Sequence, residues 1–251
     1  MTIQTIMFLV GIGVFGGAWN AVAGGATLFT FPALMAAGLP PVVANATNYL
    51  AMLPSNAAAL PAYRRELAGV GLVIVPLLVV SGLGAIAGSL LLLVSGEAVF
   101  EALIPALVLL ATGLFAFGER LRKRMVAGLN GSSAGVLLYV ALFVFSIYGG
   151  YFGAGLGIIL LAIVQIMGFS SFHVANSLKN LLATSFTILS IVVFGVSGLI
   201  AWPEAGVVMC GSTFGGYFGA RCARLVNEKY LRVGVIAFGI ILSIVYFAKA
   251  D

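Results

Sequence analysis

No lysine, arginine, aspartate or glutamate precedes Arg64 in this chain, so its opening stretch offers a fold only apolar side chains, glycines and a few amides and hydroxyls. It lacks the basic leader of a secretory signal peptide, and the first apolar run is expected to be a retained membrane span. The rest of the chain is of the same kind. Of 251 residues, 62% are hydrophobic and 8% charged, with a mean hydropathy of +1.20, where soluble domains carry about 25% charged residues. The expectation is an integral membrane protein, all-α and polytopic, with the lipid bilayer as its surroundings. The net charge of +5 does not point to nucleic acid: the basic residues fall in short clusters between apolar runs, as the positive-inside rule predicts, and leave no continuous basic face for a phosphate track. Cys210 and Cys222 are too few for a disulfide or zinc framework. No metal or cofactor is expected, since GAGLG at 153–157 lacks the strand, soluble helix and downstream acid of a dinucleotide fingerprint.

Residues 3–38 hold two apolar stretches around GGAWNAVAGG (16–25), too long for one span of about 20 residues, and are expected to form a broken or hairpin pair. Residues 42–61 make the next span, with Pro54 inside, and stop at a charged loop, residues 63–66. Residues 70–94 and 98–118 are apolar spans separated at Ser95, Gly96 and Glu97, and ERLRKR (119–124) follows as the most basic loop. The second half replays the first, with two apolar stretches around GGYFGAGLG in residues 134–168, a polar span at 171–199, and spans at 203–222 and 230–248. Val43, Ala44, Asn45, Gly84, Gly88 and Glu97 recur 131 residues later as Val174, Ala175, Asn176, Gly215, Gly219 and Glu228. Two repeats are therefore expected, residues 1–124 and 125–251, in one membrane domain of about eight to ten segments. Duplication of this kind is the architecture of secondary transporters, with the substrate site between the repeats. Reading each Gly-broken segment as a hairpin brings the basic clusters at 64, 120 and 221 to one side and makes the repeats inverted. A parallel arrangement stays open if Arg221 and Arg224 line an internal pathway.

Residues 170–180, SSFHVANSLKN, set a histidine, a lysine and two asparagines inside a run long enough to cross a bilayer. A lysine near mid-membrane costs roughly 2.5–3.5 kcal/mol on insertion scales, and such residues usually face a water-filled cavity or a ligand path. At steps of three and four, His173, Asn176 or Ser177, Asn180 and Thr184 share a helical face, with Lys179 on its shoulder. No acidic residue between Glu119 and Glu204 is available to neutralise Lys179, which favours anion binding; the alternative is an ammonium that snorkels to the interface. Asn45 and Asn48 share a face in the first half, where they either donate to an anion or act as interhelical glue. Gly84 with Gly88, and Gly215 with Gly219, have the spacing of close helix packing. Gly24, Gly25, Gly153, Gly155 and Gly157 are denser than packing needs, and would break a helix so that freed N–H groups point at an anion. No carboxylate falls at mid-membrane as a cation ligand, and His173, the lone histidine, is the candidate for any proton coupling. With no HExxH and no second histidine, there is no catalytic set and an enzyme is not expected.

Together, the repeated Gly-rich openings, the Val-Ala-Asn starts of the following spans, Asn-x-x-Lys-Asn at 176–180 and GGxxGA at 215–220 resemble the TauE/SafE family of sulfite and organosulfonate exporters, over essentially the whole chain. The resemblance implies a multi-pass carrier in a bacterial or archaeal plasma (inner) membrane for a small sulfur-containing anion such as sulfite, sulfoacetate or a taurine-related sulfonate. The expected site takes His173, Asn176, Lys179 and Asn180 from one repeat and Asn45 and Asn48 from the other. Backbone donors come from Gly24, Gly25, Gly153 and Gly155, and the site works by alternating access. The first half departs from the second where Asn48 stands for the lysine and Tyr49 for the asparagine. An anion channel lined by the same residues and a non-transporting membrane scaffold are the alternatives, and a homodimer stays open as the assembly.

Overall fold

The computed structural model describes residues 1–22, 25–57, 60–128, 134–169, 171–222 and 228–250, which form helices joined by short turns, with no strand among them. The first half comprises α1 (Ile3–Val22), α2 (Thr27–Ala36), α3 (Pro41–Ala57), a 3-10 turn at Leu60–Tyr63, the short α4 (Arg64–Val70), a second 3-10 turn at Gly71–Val73, and α5 (Ile74–Gly128). The second comprises α6 (Ala134–Tyr151), α7 (Leu156–Ile166), α8 (Phe172–Val196), α9 (Trp202–Cys222) and α10 (Glu228–Ala250). α3 starts at Pro41 and α8 at Phe172, the same 131-residue offset that relates Glu97 to Glu228.

The glycine-rich stretches break the helices as expected. Gly25 (φ +77°) precedes α2, while Gly153 (φ +75°) and Gly155 (φ +77°) precede α7, left-handed values that a side chain resists. Gly24 lies outside the described residues. Each break leaves a half-length helix: α2 has 10 residues and α7 has 11, roughly 15 Å of rise against a hydrocarbon core of about 30 Å. α5 is likewise two helices end to end, divided at Gly96 (φ +69°, ψ 178°).

Two expected loops are helical instead. Residues 63–66 wind from the first 3-10 turn into α4, and residues 119–124 continue α5 to Gly128. Arginine, lysine, glutamate and leucine are good helix formers, so charge at the end of a span marks the water boundary without ending the helix.

Small residues bring helix backbones into contact, α1 against α9 and α5 against α6. A methyl built on Gly17 of α1 would fall 2.2 Å from Ser212 O, and one on Gly215 of α9 would fall 1.9 Å from Val14 O. On α5, methyls on Gly84 and Gly88 would meet Phe143 O at 2.6 Å and Ile147 O at 2.0 Å. These glycines are therefore packing residues, as their spacing suggests.

By length and composition, Ile3–Asn20, Arg64–Gly118 and His173–Val196 can cross a membrane, and Thr27–Ala36, Gly135–Tyr151, Leu156–Ile166 and Ile236–Tyr246 are shorter apolar helices. Val14, Leu83, Val94, Val140, Val192 and Phe214 stand exposed, while Asn45, Thr47, Ser89, Ser177 and Ser190 are buried. In water that distribution would be inverted. In a bilayer the apolar outer surface meets lipid and the polar groups find partners inside. The chain is a multi-pass α-helical membrane protein.

Glu97, beside the α5 break, reaches across to α3, where its Oε1 accepts from Val42 N at 2.8 Å. A carboxylate there satisfies an orphan donor in the first turn and complements the helix dipole. Glu97→Ala is expected to lower stability by about 1 kcal/mol in detergent melting, the usual value of a lost cap. An unchanged melting temperature would mean that water serves Val42 N equally well.

Candidate functional site

The site begins where α6 ends. A helix leaves its last four carbonyls without partners of its own, and here side chains from the first half reach them. Tyr49 Oη donates to Gly149 O, Asn45 Nδ2 donates to Tyr151 O at 2.9 Å, and Ser89 Oγ lies 3.3 Å from Gly150 O while also donating to Ser190 Oγ at 2.9 Å. Beyond the helix, Tyr148 Oη donates to Ala154 O at 2.7 Å. Gly153 has no room for a side chain, since a methyl would sit 2.8 Å from Gly149 O and 3.0 Å from Tyr49 Oη. Ring contacts of Phe152 with Phe31 of α2 (5.5 Å) and Phe100 of α5 (6.3 Å) fix the turn from the apolar side.

α7 then starts with Gly155 as its N-cap, in the left-handed conformation, and no side chain caps it. Leu156 N and Ile158 N reach the carbonyls of Gly153 and Gly155 only at 3.4 Å, and Gly157 N has no acceptor among the described residues. α7 packs on α8, and Lys179 lies against the first turn of α7: a methyl built on Gly157 would be 3.8 Å from Lys179 Cδ. Lys179 is half-buried and, among the described residues, has neither an ion pair nor a hydrogen bond. Asn180 beside it is half-buried and likewise unpartnered among them. The stem of Lys179 thus lies against the positive end of a helix with no carboxylate paired to it among the described residues, an arrangement that suits an anion.

The other candidates are arranged differently. Asn176 Nδ2 donates to Tyr63 Oη at 2.9 Å, across from the first half. His173 is exposed in the first turn of α8, about 9 Å along the helix from Lys179. Asn48, 131 residues before Lys179 in the sequence, lies on α3 against the first turn of α2. There Thr30 Oγ1 donates to Asn48 Oδ1, and Asn48 Nδ2 donates to Thr27 Oγ1 at 3.3 Å. That half-site is closed by neutral groups bonded to one another. Asn45 is buried with its amide nitrogen on Tyr151 O, and its Oδ1 is a buried acceptor without a partner. The structure therefore sets Lys179 against the start of α7, pairs Asn176 with Tyr63, ties Asn45 to the end of α6, and engages Asn48 with α2.

Sequence reasoning passed over Tyr63, Ser89 and the pair Thr27 and Thr30. The threonines carried a usable signal, two hydroxyls three residues apart opening an apolar stretch. An apolar groove of about 420 Å³ between α5 and α6, lined by Leu91, Leu103, Val144 and Tyr151 among others, includes none of the candidate residues. Among the described residues no cluster of three His, Cys, Asp or Glu side chains could hold a metal.

Residues 9–246 match the family described as Sulfite exporter TauE/SafE. The chain is 30% identical over 247 residues to a "Probable membrane transporter protein" of Haemophilus influenzae, covering 96% of this chain and 94% of that one. It is 28% identical over 239 residues to "Probable membrane transporter protein YfcA" of Escherichia coli K12 (92% and 86% covered) and 27% identical over 246 residues to "Probable membrane transporter protein ORF9" of a Sinorhizobium species (97% and 93%). No solved structure matches. The fold and these relatives define a membrane transporter, not an enzyme. The chain belongs to the sulfite exporter TauE/SafE family.

Proposed function

We propose that the chain is a secondary transporter that carries a small sulfur-containing anion, sulfite, sulfoacetate or a related organosulfonate, across the plasma (inner) membrane of a bacterium or archaeon by alternating access. The observation that carries this reading is Lys179, half-buried against the uncapped start of α7 and without a counter-charge among the described residues. An unpaired charge inside a membrane protein is unfavourable, and a ligand of opposite sign offsets it. The oxygens of a sulfonate or sulfite suit the available donors, which are the ammonium, the Asn180 amide and Gly157 N. In this reading Asn45 and Tyr49 hold the α6 break in position, and His173 is left to any proton coupling. The sulfur in the substrate rests on the family, while the geometry asks for a small anion.

The 131-residue recurrence supports two repeats, residues 1–124 and 125–251, and the placement of the basic clusters at 64, 120 and 221 supports their inversion, with the site beside the contact of α3 with α8. Movement of one bundle against the other would expose it to each side in turn. Proteoliposomes test the proposal. The protein is expected to exchange labelled sulfoacetate across equal concentrations, with saturating flux, and to gain about 2.7 kcal/mol of stability at a hundred times the dissociation constant. Absence of both exchange and stabilisation with sulfite, sulfoacetate, isethionate and taurine would overturn the sulfur-anion reading.

A further inference from the structure

The segment between α3 and α5 is folded differently from the residues 131 positions later, which continue α8 as far as Val196. α8 passes to α9 through residues 197–201, whereas α3 reaches α5 through residues 58–73, which include the two 3-10 turns and α4. This segment packs on α8. Tyr63, half-buried at the end of its first turn, meets Asn176 there, and the direction of the bond matters: Asn176 Nδ2 donates and Tyr63 Oη accepts, at 2.9 Å. A tyrosine hydroxyl that accepts from an amide still has its own hydrogen to give, and among the described residues nothing takes it. Asn176 precedes Lys179 by three residues and Asn180 by four, spacings that put side-chain bases about 5–6 Å apart on one side of a helix. The Tyr63 hydroxyl is thus held by an amide whose side chain leaves α8 one helical turn before Lys179, and it has no acceptor among the described residues.

We propose that Tyr63 is a ligand of the anion, the donor that the first half of the chain contributes, and that Asn176 is a positioning residue that sets its hydroxyl. The inference rests on the reading of Lys179 as the anion site. It changes the role expected of Asn176 from touching the anion to orienting the group that does. The half-site of Lys179 lacks neutral partners and takes a donor from outside, whereas that of Asn48 is already closed by Thr27 and Thr30.

Thermal-shift titration of the purified full chain with sulfite and with isethionate tests this. Tyr63→Phe is expected to raise the apparent Kd about tenfold or more, the effect of one hydrogen bond to a charged group, with the anion-free melting temperature lowered only slightly by loss of the Asn176 bond. Asn176→Ala should weaken binding as well, and Asn176→Gln should restore part of it. Tyr63→Phe added to Asn176→Ala should change little further, because both act through one donor. Parent-like affinity in Tyr63→Phe, or fully additive losses in the double variant, would overturn the proposal. Parent-like affinity in Lys179→Met would instead overturn the reading of the site on which it depends.

Discussion

Lys179→Met is expected to give a protein that binds no anion and, in the absence of anion, melts higher than its parent. The two halves of that outcome have one cause. The ammonium is half-buried, lies against the start of α7, and has no counter-charge or hydrogen bond among the described residues, so the empty site carries a desolvation penalty that the protein does not recover internally. Methionine keeps the length of the stem and its contact with Gly157 while removing the charge. A lysine at the centre of a span costs roughly 2.5–3.5 kcal/mol on insertion scales, and half-exposure reduces this, so a gain of about 1–2 kcal/mol is expected in detergent melting. Binding of sulfite or isethionate, read as stabilisation by the anion, should be lost altogether. A site kept for function at the expense of stability behaves in this way. A Met variant that melts lower than the parent would mean that the ammonium has a favourable partner at rest, and the case for an anion at this place would fail.

Membrane location, helical class and the glycine breaks were legible in the sequence because each is local. A run without charge, an apolar composition and a left-handed glycine act within a few residues of themselves. Gly96 is an example, expected as a separator and found with φ +69° inside α5. The partners of the polar residues were not legible, since they come from segments far apart in the chain. Asn45 finds Tyr151 O 106 residues away, Asn48 finds Thr30 at a separation of 18, and Asn176 finds Tyr63 at 113. An asparagine in a span announces that it needs partners, and nothing local says whether these are protein groups or a ligand. The recurrence of Asn45 as Asn176 concealed this difference, because one bonds a backbone carbonyl and the other a tyrosine hydroxyl. Lys179 gives a sharper signal: a full charge inside a span needs acceptors or a counter-charge, and the acids that could pair with it are missing from the sequence around it.

Gly11→Ala and Gly215→Ala are expected to move stability in opposite directions, although the two glycines lie in helices that pack on each other, α1 and α9. A methyl on Gly11 meets nothing within 4 Å, so alanine adds helix propensity, worth up to about 1 kcal/mol, without touching the contact. A methyl on Gly215 would lie 1.9 Å from Val14 O and 2.6 Å from Val14 C, and these are backbone atoms that no rotamer change can clear. The helices would have to separate by more than 1 Å, and Gly13, Gly17 and Gly211 along the same face would lose their close approach at the same time. Overpacking commonly costs 1–3 kcal/mol where side chains can yield, so a loss of about 3 kcal/mol or more is expected, read as unfolding or aggregation on gel filtration in detergent. The damage should also reach α3, because Ser212, three residues from Gly215, donates its hydroxyl to Ala51 O at 2.7 Å. Val14→Ala should not rescue Gly215→Ala, since the obstacle is the carbonyl of residue 14 and not its side chain. Rescue would show that α1 can slide along α9, and the glycine face would then be a movable surface instead of a fixed one.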